Sequence, residues 1–321
     1  MTIDFSSLIS TCAAILLLIA IGFFLRKIGM TDDDFCKKLS ALVAKAAIPF
    51  LIIHSIVSLE FSPEKLRNGV LILIFGTLAH TLMACCAKII FSRAKDADEK
   101  KIYQFACVFS NCAFIGYPIL SALFGELGLF YGAFYVVTYN LGCWSYGVLL
   151  MSKGKAEYKF TVKNMFLNVG TIACFLGLAM YALQIPLPSF LQTTAMHIGN
   201  LCTPLSLIVT GSLVATIPLG KMFTNKKLYL FCAVKLLILP VLFALMIHLS
   251  GADRLIGEMN LTVFLAVMVS LPPAALTSLF SNMFEVKPSF AAQVVSLGTL
   301  LSPLTTLIVI KATQMICMIG S

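Results

Sequence analysis

The sequence predicts an all-α polytopic membrane protein of ten transmembrane helices, built as two inverted five-helix repeats with broken fourth and ninth helices. Three observations carry this reading: an apolar composition, basic residues in alternate breaks between apolar segments, and prolines in the middle of two corresponding segments. Of 321 residues, 60% are hydrophobic and 12% charged, and the mean hydropathy of +0.98 excludes an ordinary water-facing surface. Ten spans of roughly 20 residues consume about 200 positions, which leaves no room for a soluble domain. The net charge of +9 is dispersed over short breaks, so it reports orientation in a lipid bilayer and not a nucleic-acid surface.

The apolar segments run Phe5 to Leu25, Leu39 to Leu59, Gly69 to Phe91, Ile102 to Phe124 and Leu127 to Met151. After the break Ser152 to Lys163 come Asn164 to Ile185, Thr194 to Ile217, Leu228 to Ser250, Leu261 to Phe284 and Ser289 to Ile310. Ser62-Pro63, Pro186-Leu187-Pro188 and Ser250-Gly251 punctuate the connections. Met1 to Asp4 lacks Lys and Arg, whereas Arg26 and Lys27 follow the first segment, the reverse of a cleavable signal, so that helix is expected to be retained. Residues 1–163 form the first repeat and residues 164–321 the second.

Alternate breaks hold 17 of the 23 basic residues: Arg26 to Lys38, Lys88 to Lys101, Lys153 to Lys163, Lys221 to Lys227, and Lys287. The other side has Lys65, Arg67 and Arg254 alone. Positive charge is retained in the cytoplasm, which puts both termini outside a cell membrane. An offset of 155 carries Gly22 to Gly177, Pro49 to Pro204 and Pro118 to Pro273, as two related halves require.

Chemistry concentrates at two stretches. Ser110 to Pro118 reads SNCAFIGYP and Ser270 to Ala275 reads SLPPAA. Proline removes a backbone donor and pushes its predecessor out of helical geometry, so both helices should break there, with Pro118 marking the first break. Unpaired backbone at membrane depth is tolerated only around a protected cavity, and half-helix N-termini suit an anion. The alternative is a pair of proline kinks in packed helices.

The segments contain Lys45, Lys235, Lys311, His54, His80, His197 and His248, while every Asp and Glu lies at or near a segment end or in a connection. Lys45 and Lys235 precede Pro49 and Pro240 and are expected to snorkel to the interface, Lys45 having the alternative of completing an anion site. The histidines read as packing residues. The eleven cysteines are odd in number and never form CxxC, so they read as small packing residues. No histidine pair has the i, i+4 spacing of a metal site, and no cofactor is expected. Nucleophile–base sets, HExxH and the phosphate-binding GxxxxGK[ST] are absent, which argues against an enzyme or an ATP-driven pump.

With these residues in view, the chain resembles the auxin efflux carrier family of membrane transporters, which includes bacterial organic-acid permeases. Gly22 to Ile56, Ser110 to Pro118, Phe124-Gly125-Glu126, Asn140, Trp144, Asn200 to Pro204, Lys235 to Pro240 and Pro272 to Ala275 carry the resemblance. It implies a scaffold of spans one, two, six and seven, and a moving transport domain of spans three to five and eight to ten with crossed helices four and nine. It further implies an elevator-type secondary transporter of a small organic anion. Asn111 would bind substrate, with Tyr117, Pro118, Asn140, Pro272, Pro273 and Thr277 beside it; one of the two adjacent prolines would mark the crossing. A proton or sodium ion is the coupling partner expected, and a homodimer through the scaffold the assembly. Sodium-coupled symport like that of bile-acid carriers, with an ion among Asn111, Ser270 and Thr277, and a sensor without transport remain the alternatives.

Overall fold

The computed structural model describes residues 5–152, 169–217 and 219–318; the basic cluster Lys153 to Lys163 and the predicted start of the sixth segment lie outside them. The described elements are α1 (Phe5–Lys27), α2 (Asp33–Val57), α3 (Pro63–Ile90), α4 (Ala97–Val108), α5 (Cys112–Ser152) and α6 (Val169–Ala182). There follow α7 (Ser189–Val214), a short helix Leu219–Thr224, α8 (Lys226–Leu249), α9 (Leu261–Ser270), α10 (Leu276–Met283) and α11 (Pro288–Met318). Seven of these runs are long and apolar enough to cross a membrane, and α6 and α9 are shorter apolar helices. No strand occurs among the described residues, only an isolated bridge.

Helix starts follow local chemistry. Asp32, Ser62, Asp96, Asn111, Asn225 and Asn260 each accept a backbone N–H of the first turn through the side chain, satisfying a donor the helix cannot pair internally. Within α5, Gly125 adopts φ 60° and ψ −144°, a conformation open to glycine, and divides the 41-residue run where the sequence predicts a boundary between two segments.

Four π-helical turns interrupt the α-helices: Val43–Ala47, Cys112–Gly116, Cys143–Gly147 and Val234–Ile238. Pro49, Pro118 and Pro240 each stand two residues beyond one of them. An i→i+5 turn holds one extra residue, so the ladder shifts next to the position where proline lacks its N–H. This corrects one expectation: Pro118 does not break its helix. It falls in the first turn of Tyr117–Gly142, and the break lies upstream at Phe109–Asn111. Pro118 and Pro273, which share the 155-residue offset, are therefore not equivalent in space.

Two packing groups organise the bundle. In the first, α1 lies along α7, and α2 packs on α6 and α7. The α1–α7 crossing brings backbone against backbone: a Cβ on Gly22 would stand 2.0 Å from the Ile208 carbonyl oxygen, and one on Gly211 1.9 Å from that of Ile19. Small residues of this kind permit close helix approach where lipid supplies no hydrophobic drive. In the second group α3 packs on α4 and α5, while α8, α9 and α11 pack on one another. Cys36 and ten other cysteines are all free, most of them buried among apolar side chains.

Candidate functional site

The second group closes around a crossing of two broken helices. α4 ends in extended backbone at Phe109, and α9 ends in extended backbone at Leu271. The two extended stretches pair antiparallel, with Ser110 opposite Pro273. Asn111 N donates to Pro272 O at 2.7 Å, and Ala274 N donates to Phe109 O at 2.9 Å. The paired prolines explain why this contact is a single bridge: neither can donate, so only the flanking Asn111 and Ala274 amides close the ring. Pro273 is thus the crossing proline, and Pro272 supplies a carbonyl. Gly298 of α11 makes room for it, since a Cβ there would lie 2.6 Å from Pro273 Cδ.

Two helices end at the crossing and two begin. α4 and α9 direct their C-terminal, carbonyl-rich ends at it, whereas α5 and α10 direct their N-terminal, amide-rich ends. Ser110, Ser270, Leu271, Pro272 and Pro273 are buried, but Ala275, the residue before α10, is exposed, and Ala113 and Phe114 are half-buried. The amide-rich side is the accessible one.

Asn111 starts α5. Its Oδ1 accepts Phe114 N at 3.3 Å, which leaves Nδ2 without a partner among the described residues. Two buried hydroxyls beyond the crossing, Tyr117 Oη and Thr277 Oγ1, also lack partners among the described residues. Buried polar atoms are normally paired, so these two hydroxyls, together with the Asn111 amide at the start of α5, mark a place for a polar guest or water. Asn140 is spent elsewhere: its Nδ2 donates to Thr171 Oγ1 at 3.2 Å and ties α5 to α6. Lys45 is exposed on its π turn, away from the crossing pair.

Lys235 overturns the snorkelling expectation. It is fully buried, and Nζ donates to Ser110 Oγ at 2.8 Å and to Val269 O at 2.8 Å. It stands in the π turn Val234–Ile238, and the Ser110 hydroxyl and the open Val269 carbonyl hold its ammonium inside the bundle. The ammonium therefore caps the C-terminal end of α9. His80 is buried on the other flank, its Nδ1 2.7 Å from Gly76 O and its ring 6.0 Å from that of Phe109. The offset of 155 links His80 to Lys235. That coincidence of two basic residues is the signal in the sequence that points to Lys235.

The other basic residues of the segments have bland settings. Lys311 sits over the Phe5 ring at 5.0 Å, His54 contacts Ser58, and His197 is exposed. His248 meets a carboxylate after all, Asp253 Oδ2 at 3.1 Å, because the turn after α8 folds back on its last turn. Beyond the helix ends, Lys287 pairs with Asp96 and Glu99, and Lys227 with Glu99 at 3.6 Å, joining the starts of α4, α8 and α11. The Lys287 ammonium holds the Asp96 carboxyl below its ordinary range, helped by the amides that Asp96 caps. No group of three metal-ligating side chains occurs among the described residues.

An uncharacterized transporter of Methanothermobacter thermautotrophicus is 23% identical over 300 residues, covering 91% of this chain and 94% of its own. A second uncharacterized transporter, from Methanocaldococcus jannaschii, is 27% identical over 208 residues, covering 61% of this chain and 66% of its own. The membrane transport protein family matches residues 7–310. The chain is a multi-pass membrane protein that belongs to this transporter family, the auxin efflux carriers that its sequence resembles.

Proposed function

We propose that the protein is a secondary transporter of a small organic anion, bound at the crossing by the α5 and α10 N-termini and the Asn111 amide. The observation that carries this reading is the division of charge there. The carbonyl-rich end of α9 is buried and covered by the Lys235 ammonium, while the amide-rich ends lie on the accessible side with Asn111 Nδ2 unpartnered. No carboxylate forms a salt bridge with Lys235 among the described residues. The local field therefore favours a carboxylate over a cation.

We count ten passes by dividing Cys112–Ser152 at Gly125, joining its first part to α4 as one broken span, and adding the short α6 and the α9–α10 pair to the other six long runs. The packing suggests two inverted halves. Gly22 of α1 meets α7 at Ile208, and Gly177, one offset later in α6, meets α2 at Ile56. α1, α2, α6 and α7 would form the scaffold, and the crossing group would move against it in the cell membrane as an elevator.

The test is flux in proteoliposomes against a panel of monocarboxylates, dicarboxylates and organic cations. Counterflow of at least one carboxylate, with cations ignored, is expected. Transport of a cation with no carboxylate accepted would reject the reading.

A further inference from the structure

Lys235 is a cation built into the place where a coupling ion would be held. A monovalent metal ion in a broken-helix carrier needs the free carbonyls of a half-helix C-terminus and nearby hydroxyl oxygens. α9 provides such an end, and its Val269 carbonyl, with the Ser110 hydroxyl across the crossing, already receives Lys235 Nζ at 2.8 Å each. Ser270 Oγ turns back to Val267 O, which uses the next hydroxyl along. The lysine is fully buried, and its counter-charge is the helix end itself. A buried ion that lacked these partners would cost several kcal/mol, so the fold holds the ammonium for its charge and not for packing.

We propose that the Lys235 ammonium is a tethered cation that fills the coupling-ion position at the crossing, so that this chain works without sodium. The inference deepens the organic-anion reading by naming what balances charge at that site, and it rests on that reading for its transport arm. The anion would then bind to a crossing whose negative pole is neutralised by the protein's own ammonium, with no need for a co-bound metal.

The experiment compares the full-length parent with Lys235→Ala and Lys235→Arg, by melting temperature in detergent and by carboxylate counterflow in liposomes. Media contain sodium, lithium or choline chloride, with or without ethylammonium. The parent should melt and transport alike in all salts. Lys235→Ala should lose counterflow in choline by about tenfold or more, the scale of one charge-assisted hydrogen bond. Sodium, lithium or ethylammonium should restore part of that flux and raise the melting temperature of the variant but not of the parent, by mass action on a newly emptied site. Lys235→Arg should remain insensitive to sodium, because it keeps the charge.

Sodium-dependent flux or melting of the parent would overturn the proposal, and that measurement needs no variant to fold. So would a folded Lys235→Ala that runs at the parental rate in choline, or one that no cation rescues. If the parent carried no carboxylate while the melting pattern appeared as described, the substrate reading would fail and the tethered cation would stand.

Discussion

Asn111 has two jobs that substitution can separate. Its Oδ1 caps Phe114 N at 3.3 Å, and its Nδ2 is free to donate to the anion. Loss of an N-cap costs about 0.5 to 2 kcal/mol, and the long bond places this one near the low end. Donation of an N–H to a carboxylate contributes about 1 to 3 kcal/mol, roughly five- to 150-fold in affinity. Asn111→Ala removes both, so it should melt earlier and bind more weakly. Asn111→Ser keeps an oxygen that can cap the same amide, but its remaining donor is a hydroxyl on a shorter side chain that does not reach where Nδ2 stands. It should melt within a few tenths of a kcal/mol of the parent while binding as weakly as Asn111→Ala. The assay is calorimetric binding of a transported carboxylate, run beside thermal unfolding of the same preparations. If Asn111→Ser bound as tightly as the parent, the asparagine would be a cap alone and the site would have to be sought elsewhere.

Three further outcomes are expected. Gly22→Ala and Gly211→Ala each force α1 away from α7 and should destabilise by about 1 to 3 kcal/mol, the double variant by less than the sum because both serve one crossing; additive losses in thermal unfolding would show two independent contacts. Asp96→Asn keeps the helix cap and loses the charge that meets Lys287. Because the Asp96 pKa is lowered from 3.8 and the Lys287 pKa raised from 10.5, the pair stabilises above the first value and below the second. Its contribution is lost as pH falls through the lowered carboxyl pKa or rises through the raised ammonium pKa, so parent and variant melting curves should differ at neutral pH and converge at both extremes. Single cysteines on a cysteine-depleted background should label from outside intact cells at position 188 and stay protected at position 96; the reverse pattern would invert the proposed orientation.

Membrane residence and the helix ends were legible from residue order alone, because both depend on short-range properties. A run of 20 apolar residues needs a bilayer wherever it stands, and Asp32, Ser62, Asn225 and Asn260 cap helices through atoms two or three residues away. The double proline marked the break between α9 and α10 for the same reason: two missing donors in succession cannot be absorbed locally. The single prolines could be absorbed. A π turn before Pro49, Pro118 and Pro240 shifts the ladder by one residue, so Pro118 stays helical and the first break moves to Ser110, which has no breaker of its own. That break exists because Asn111 and Phe109 find their backbone partners on Pro272 and Ala274, more than 150 positions away in the chain. Lys235 is the same case. Read along its own helix, a lysine near an end snorkels; what holds it inward is the Ser110 hydroxyl just past α4 and the open carbonyl of α9. Sequence determined which segments enter the membrane and where most of them begin. Tertiary packing decided which backbone groups were left unpaired at the crossing, and so where a buried charge could be held.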